Sequence, residues 1–210
     1  MAMNNNIAKR RSAIAAEGIP LLLGCVALAL VCWRLDWLAA AAAAGLFTVW
    51  LFFLFRDPAR AVPPLPAAIY APVDGRIVAE EQIPGAGEQA AWRRLRIRVN
   101  HLGAYTVRAP IEGTIMPIES SAIAGQSPEG LRLRSEEGDD VLLAFPRGGP
   151  LRSPRSFVRY GERLGQGHRF AYLRLAPVAE VLLPAGARLK VAVGEAVKAG
   201  DTVLAELISA

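Results

Sequence analysis

Two long apolar runs, Ile19 to Trp33 and Trp37 to Phe55, are separated only by Arg34-Leu35-Asp36. Both read as helices. The second is long enough to cross a bilayer core, which takes about 20 residues, and the first is short for a full span. Lys9, Arg10 and Arg11 precede the pair and Arg56 and Arg60 follow it, a flanking charge that places both ends on the cytoplasmic side. A cleaved signal peptide would share the basic start, but the second apolar run is too long to be a cleavage region. The expected organisation is a basic N-terminal tail over residues 1–17 and a transmembrane helical hairpin over 18–55. A Pro-rich linker follows over 56–67, where Pro58, Pro63, Pro64 and Pro66 fix φ, remove backbone donors and predict an extended tether.

From Ala68 the period changes. Leu95, Ile97 and Val99 alternate with Arg94, Arg96 and Arg98, the signature of a half-buried strand. Residues 131–134 and 141–145 flank a turn at Gly138 and read as a hairpin. Further strands are expected at 178–183, 189–193 and 203–207, punctuated by Gly194, Gly200 and Asp201. No long amphipathic helix interrupts them. The prediction is a mainly β, barrel-like domain over 68–210.

The chain has 210 residues, and its 53% hydrophobic content is concentrated in the hairpin. The net charge of +5 suits an anionic partner such as a membrane surface. Its two cysteines, Cys25 and Cys32, lie in the first apolar run, and only His101 and His168 supply imidazoles. No metal site is expected. Arg94, Arg96 and Arg98 share one strand face, Arg108 lies further along and His101 lies just beyond. His101, four residues before Tyr105, is expected on the same strand face as that tyrosine. Guanidinium forks suit phosphate, so these five are candidate headgroup-binding residues. No stacking aromatics interleave the arginines, which argues against nucleic acid.

Several segments, in order, resemble the short, membrane-attached phosphatidylserine decarboxylases. Phe53 to Pro58 is similar to the family's Phe-Phe-Arg-Asp-Pro entry, and Ala71-Pro-Val-Asp-Gly75 to its Pro-x-Asp-Gly turn. Arg108 to Thr114 resembles its Arg-Ala-Pro-x-x-Gly strand. Gly167 to Pro184 resembles its self-cleavage segment, and Val197 to Ala205 its closing stretch. The resemblance implies a serine that splits the chain, becomes an N-terminal pyruvoyl group and forms a Schiff base with the serine headgroup, assisted by an Asp and a His. It also implies departures from that chemistry. The family's Asp-x-His falls on Gly103-Ala104-Tyr105, and its Gly-Ser on Ala176-Pro177. Asp74 of the Asp-Gly turn is the retained family acid, although Asp-Gly is also a favoured turn pair in its own right.

The resemblance thus implies a catalytically degenerate homologue in phospholipid metabolism, on the bacterial inner membrane with its β domain cytoplasmic. It would bind lipid headgroups or act in regulation, and no pyruvoyl cofactor is expected. Its partners would be the anionic phospholipid membrane and, by family likeness, a second copy or a partner lipid enzyme. Two alternatives stand beside it. One is an active decarboxylase making phosphatidylethanolamine with an unconventional nucleophile or a partner subunit. The other is a membrane adaptor without lipid selectivity.

Overall fold

The computed structural model describes residues 13–63, 65–84, 91–117, 129–146, 149 and 151–208. Lys9, Arg10 and Arg11 of the basic tail, and Pro64 of the linker, lie outside them. Helix α1 spans Ile19–Arg34 and α2 spans Leu38–Leu54. Pro20 sits in the first turn of α1, where its missing N–H has no helical partner to lose. Between the helices Asp36 adopts φ 56°, a conformation Asp tolerates better than most residues. The Trp37 N–H then donates to the Cys32 carbonyl at 2.9 Å and starts the return.

The far ends of the two helices meet. Ala15 N–H donates to Phe55 O at 2.9 Å, and Asp57 N–H to Ala13 O at 2.8 Å. With its preceding 3-10 turn, α1 extends over Ala16–Arg34, 19 residues, long and apolar enough to cross a membrane, whereas α2 is apolar but shorter. This reverses the order of lengths expected from the sequence. Residues 16–18 wind into α1, while Trp37 and Phe55 fall outside α2 as its caps.

The rest of the described chain is mainly β. Strands β1 (Ala68–Tyr70), β2 (Gly75–Pro84), β3 (Ala91–Val99), β4 (Thr106–Arg108) and β5 (Gly113–Met116) come first. They are followed by β6 (Glu129–Arg134), β7 (Asp140–Phe145), β8 (Arg155–Ser156), β9 (Arg163–Leu164) and β10 (Arg169–Tyr172). Last come β11 (Val178–Pro184), β12 (Arg188–Leu189), β13 (Ala196–Val197) and β14 (Val203–Glu206). An antiparallel sheet of eight strands runs β13-β2-β3-β11-β7-β6-β5-β9, beside the three-stranded sheets β1-β14-β12 and β4-β10-β8. The expected barrel-like closure is not seen among the described residues, because β13 and β9 end the large sheet without pairing to each other.

The period-two reading of β3 holds: Leu95, Ile97 and Val99 enter the main core with Val141, Leu143, Val181 and Leu183. β11 pairs with β3 on one edge and β7 on the other. Ala179, Val181 and Leu183 on one face enter the main core, and Leu182 on the other packs with Trp92, Leu142 and Ala144. Gly138, at φ 93°, closes the β6–β7 hairpin as expected. The strand expected at 189–193 is reduced to Arg188–Leu189.

The reading of His101 as a strand residue in register with Tyr105 is corrected. β3 stops at Val99 and β4 starts at Thr106, with residues 100–105 forming a turn. There Gly103 N–H donates to Asn100 O at 3.0 Å and Leu102 N–H to the Asn100 side chain at 3.1 Å.

Leu143 is fully enclosed in the main core. Leu143→Ala should lower the stability of the detergent-solubilised chain by about 2–5 kcal/mol in urea unfolding followed by tryptophan fluorescence. A loss below about 1 kcal/mol would mean that the central sheet is not the packed core described.

Candidate functional site

Two turns converge where the helix pair meets the β domain. One is residues 100–105, between β3 and β4. The other is residues 173–177, between β10 and β11. Leu173 N–H donates to Tyr105 O at 2.8 Å, Val99 N–H to Pro177 O at 3.0 Å and Leu175 N–H to Leu151 O at 3.0 Å. Arg174 turns the chain at φ 54°, a left-handed conformation that costs a non-glycine residue about 1 kcal/mol or more. Ala176 is buried and Pro177 is exposed. Its ring carries neither a hydroxyl nor an N–H, so position 177 contributes only its carbonyl to the site.

Opposite lies Tyr105, buried against Phe55 at a ring separation of 4.7 Å and against Tyr172 at 6.1 Å. Its hydroxyl donates to Glu17 Oε2 at 3.2 Å, and Arg174 donates to Glu17 Oε1 at 2.7 Å. Burial, reinforced by the Glu17 carboxylate, pushes the phenol far above its ordinary range. Tyr105 therefore stays protonated and acts as a donor, not as a base. Glu17 is the residue that sequence reasoning missed. It stands out there only as a lone charge at the edge of an apolar run, while its partners are 88 and 157 residues away.

Asp74 receives four hydrogen bonds. Arg60 approaches it end-on, with its two terminal nitrogens at 2.5 and 2.7 Å. The backbone N–H groups of Ala199 and Ala104 donate at 2.7 and 2.8 Å. Burial alone would raise the carboxyl, but these donors outweigh it and hold Asp74 below the usual aspartate range. Gly103 is pressed against it: a Cβ there would lie 2.4 Å from Asp74 Oδ2. This close approach excludes any side chain, including a second carboxylate, from position 103.

The expected tether is likewise fastened down. Its backbone is irregular, as proline predicts, but Asp57 is only 1% exposed. Asp57 accepts from Thr106 at 2.8 Å and pairs with Arg169 at 3.0 Å. Arg108 donates to Pro58 O at 3.0 Å and Gly167 O at 3.2 Å. It is buried within the domain, with its Nε unpartnered among the described residues. Desolvation pushes the Asp57 carboxyl up, and Arg169 and Thr106 only partly offset it.

The remaining candidates separate. Arg94 is paired with Glu81 and lies 3.7 Å from Glu180, while Arg96 donates to Glu180 at 2.9 Å. Arg98, at the end of the same strand, is exposed. His101 is half-buried, with its Nδ1 unpartnered among the described residues. Burial pushes its imidazole down, which favours the neutral form. A cavity of about 280 Å³ lies elsewhere, lined by Leu65, Ile111, Glu136, Arg163 and Gln166 among others. Among the described residues no cluster of His, Cys, Asp and Glu could hold a metal ion.

No family model matches the chain. Among curated proteins it is 33% identical over 207 residues to the phosphatidylserine decarboxylase proenzyme of Burkholderia lata, covering 92% of this chain and 96% of that protein. The chain belongs to the phosphatidylserine decarboxylase family. The proenzymes of Burkholderia ambifaria and Burkholderia cenocepacia match at the same identity and coverage. Membership places this protein in a family of phospholipid metabolism. The apolar N-terminal helix is consistent with membrane association. Among solved structures, glucose permease IIA from Mycoplasma capricolum aligns with 66% of this chain and 93% of its own, at 17% identity and a TM-score of 0.44. That likeness is too slight to bear on fold or function.

Because the folded-state value of Asp74 lies below the unfolded value near 3.8, its contribution is complete above that pH and is lost as pH falls through the lower folded value. Asp74→Asn should destabilise the domain by about 3–5 kcal/mol, since it leaves Arg60 without its carboxylate. It should also flatten the acid limb of a plot of unfolding midpoint against pH. An unchanged acid limb would remove Asp74 from the network described.

Proposed function

We propose that this chain is a catalytically degenerate, uncleaved member of the phosphatidylserine decarboxylase family. In this reading it is held in the bacterial inner membrane by its helix pair, with the β domain cytoplasmic, and binds phospholipid headgroups as a regulatory homologue. The observation that carries the reading is the exposed Pro177, which by the family resemblance stands where the serine is expected. A proline has no oxygen to attack the preceding carbonyl, so no ester intermediate and no pyruvoyl group arises from it.

The surroundings support the same reading. The position of the family's histidine is filled by Tyr105, a phenol engaged with Glu17. The retained acid, Asp74, has its lone pairs occupied by Arg60 and two backbone donors. Neither group is free to move a proton to or from a substrate. Headgroup recognition falls to Arg98, at the end of β3, and His101, in the turn that follows, because Arg94 and Arg96 are neutralised by Glu81 and Glu180 and Arg108 fastens the linker, a strap across the domain.

The purified full chain in mixed micelles should release no labelled carbon dioxide from carboxyl-labelled phosphatidylserine. In native mass spectrometry it should retain anionic phospholipid over phosphatidylcholine, and Arg98→Ala should weaken that preference. Carbon dioxide release abolished by borohydride would replace this reading with a working decarboxylase. Retention without headgroup preference would favour a membrane adaptor.

A further inference from the structure

We propose that three short segments of the β domain form an apolar lip that dips into the headgroup layer of the membrane beside the helix pair. They are the turns at residues 98–105 and 173–177 and the stretch at 151–156. The proposal rests on the reading of the helix pair as membrane-inserted and deepens it by naming a second contact with the same bilayer.

Position is the first argument. The three segments are joined to one another through the Pro177, Tyr105 and Leu151 carbonyls. They are also joined to the base of α1, where Glu17 meets Tyr105, Arg174 and, at 3.9 Å, Arg155. Tyr105 and Tyr172 pack in one cluster with Ala15, Leu51 and Phe55. The lip is therefore continuous with the point at which the helices leave the domain.

Its apolar tips are the second argument. Leu102, Leu151 and Leu175 are 62, 70 and 41% exposed. Leu102 is held outward by a turn built on Asn100, and Leu151 and Leu175 are held together by the bond between their backbones.

Charge decides the occupant. Residues 98–105, 151–156 and 173–177 contain Arg98, Arg152, Arg155 and Arg174 and no carboxylate of their own. Glu17, at the base of α1, meets Arg174 and Arg155 and leaves the segments with a net positive charge. Exposed leucines on segments that also carry arginines match the boundary between acyl chains and anionic headgroups. A second copy docking symmetrically on this face would set arginine against arginine. The geometry points to a lipid surface.

The test uses the full chain with Cys25→Ala and Cys32→Ala, carrying one fluorophore at a cysteine introduced by Leu102→Cys, Leu151→Cys, Leu175→Cys or, within α2, Leu46→Cys. Each is reconstituted in vesicles of phosphatidylglycerol and phosphatidylcholine. Lipid-borne nitroxide should remove the emission of all four labels, and aqueous iodide should leave all four bright. Quenching of Leu46→Cys by lipid while the other three respond to iodide would overturn the lip and leave the membrane helices standing. Labels on the lip shielded from both quenchers would mean a protein cover, and would overturn it too. Iodide quenching of Leu46→Cys would sink the lip together with the membrane reading beneath it.

Discussion

Asp74 accepts two hydrogen bonds from the Arg60 guanidinium and one each from the Ala104 and Ala199 backbones, and the end of the β domain that meets the helix pair is organised around that carboxylate. Arg60 belongs to the strap that descends from α2, Ala104 to the turn before β4, and Ala199 to the turn before β14. One buried acid thus ties three distant stretches of chain to one another. A carboxylate out of water is tolerable only when its lone pairs are met, and here each oxygen has two donors. That saturation also explains the bare backbone at Gly103, where a side chain would strike Asp74.

The same logic extends along the strap. Asp57 with Arg169 and Thr106, and Arg108 with the carbonyls of Pro58 and Gly167, continue the polar seam between strap and domain. Val62 packs so close to Gly167 and Gly200 that a Cβ at either position would clash with it. The helix pair is therefore fixed to the β domain by bonds on both of its strands. Ala13 and Ala15 bond to residues at the end of α2, and Glu17 bonds to Tyr105 and Arg174. The turns that carry Gly103, Tyr105 and Pro177 lie at this joint.

Much of the fold was legible because it follows local periodicity. The alternation through β3, the Gly138 hairpin and the two apolar helices follow from spacing and turn chemistry, and the structure reproduces them. What was not legible depends on partners far apart in the chain. A proline-rich run announces extended backbone, but nothing local says that Asp57 and Arg60 inside it will be bonded to residues 112 and 14 positions away. The arginine face of β3 looked like a phosphate site because its neutralising carboxylates, Glu81 and Glu180, arrive on the neighbouring strands β2 and β11. Short strands such as β8, β9 and β13 carry too few residues for any period to register. At the candidate site, the family resemblance pointed to positions 74, 103, 105 and 177, while the partnership of Glu17 with Tyr105 and Arg174 became visible only through geometry.

The account turns on whether the bond before Pro177 survives in the mature protein. Intact-mass spectrometry of the chain extracted from its native membranes addresses that directly. A single species near 22.5 kDa is the predicted result. Two fragments meeting at the Ala176–Pro177 bond, the second with a blocked ketoacyl terminus, would contradict it.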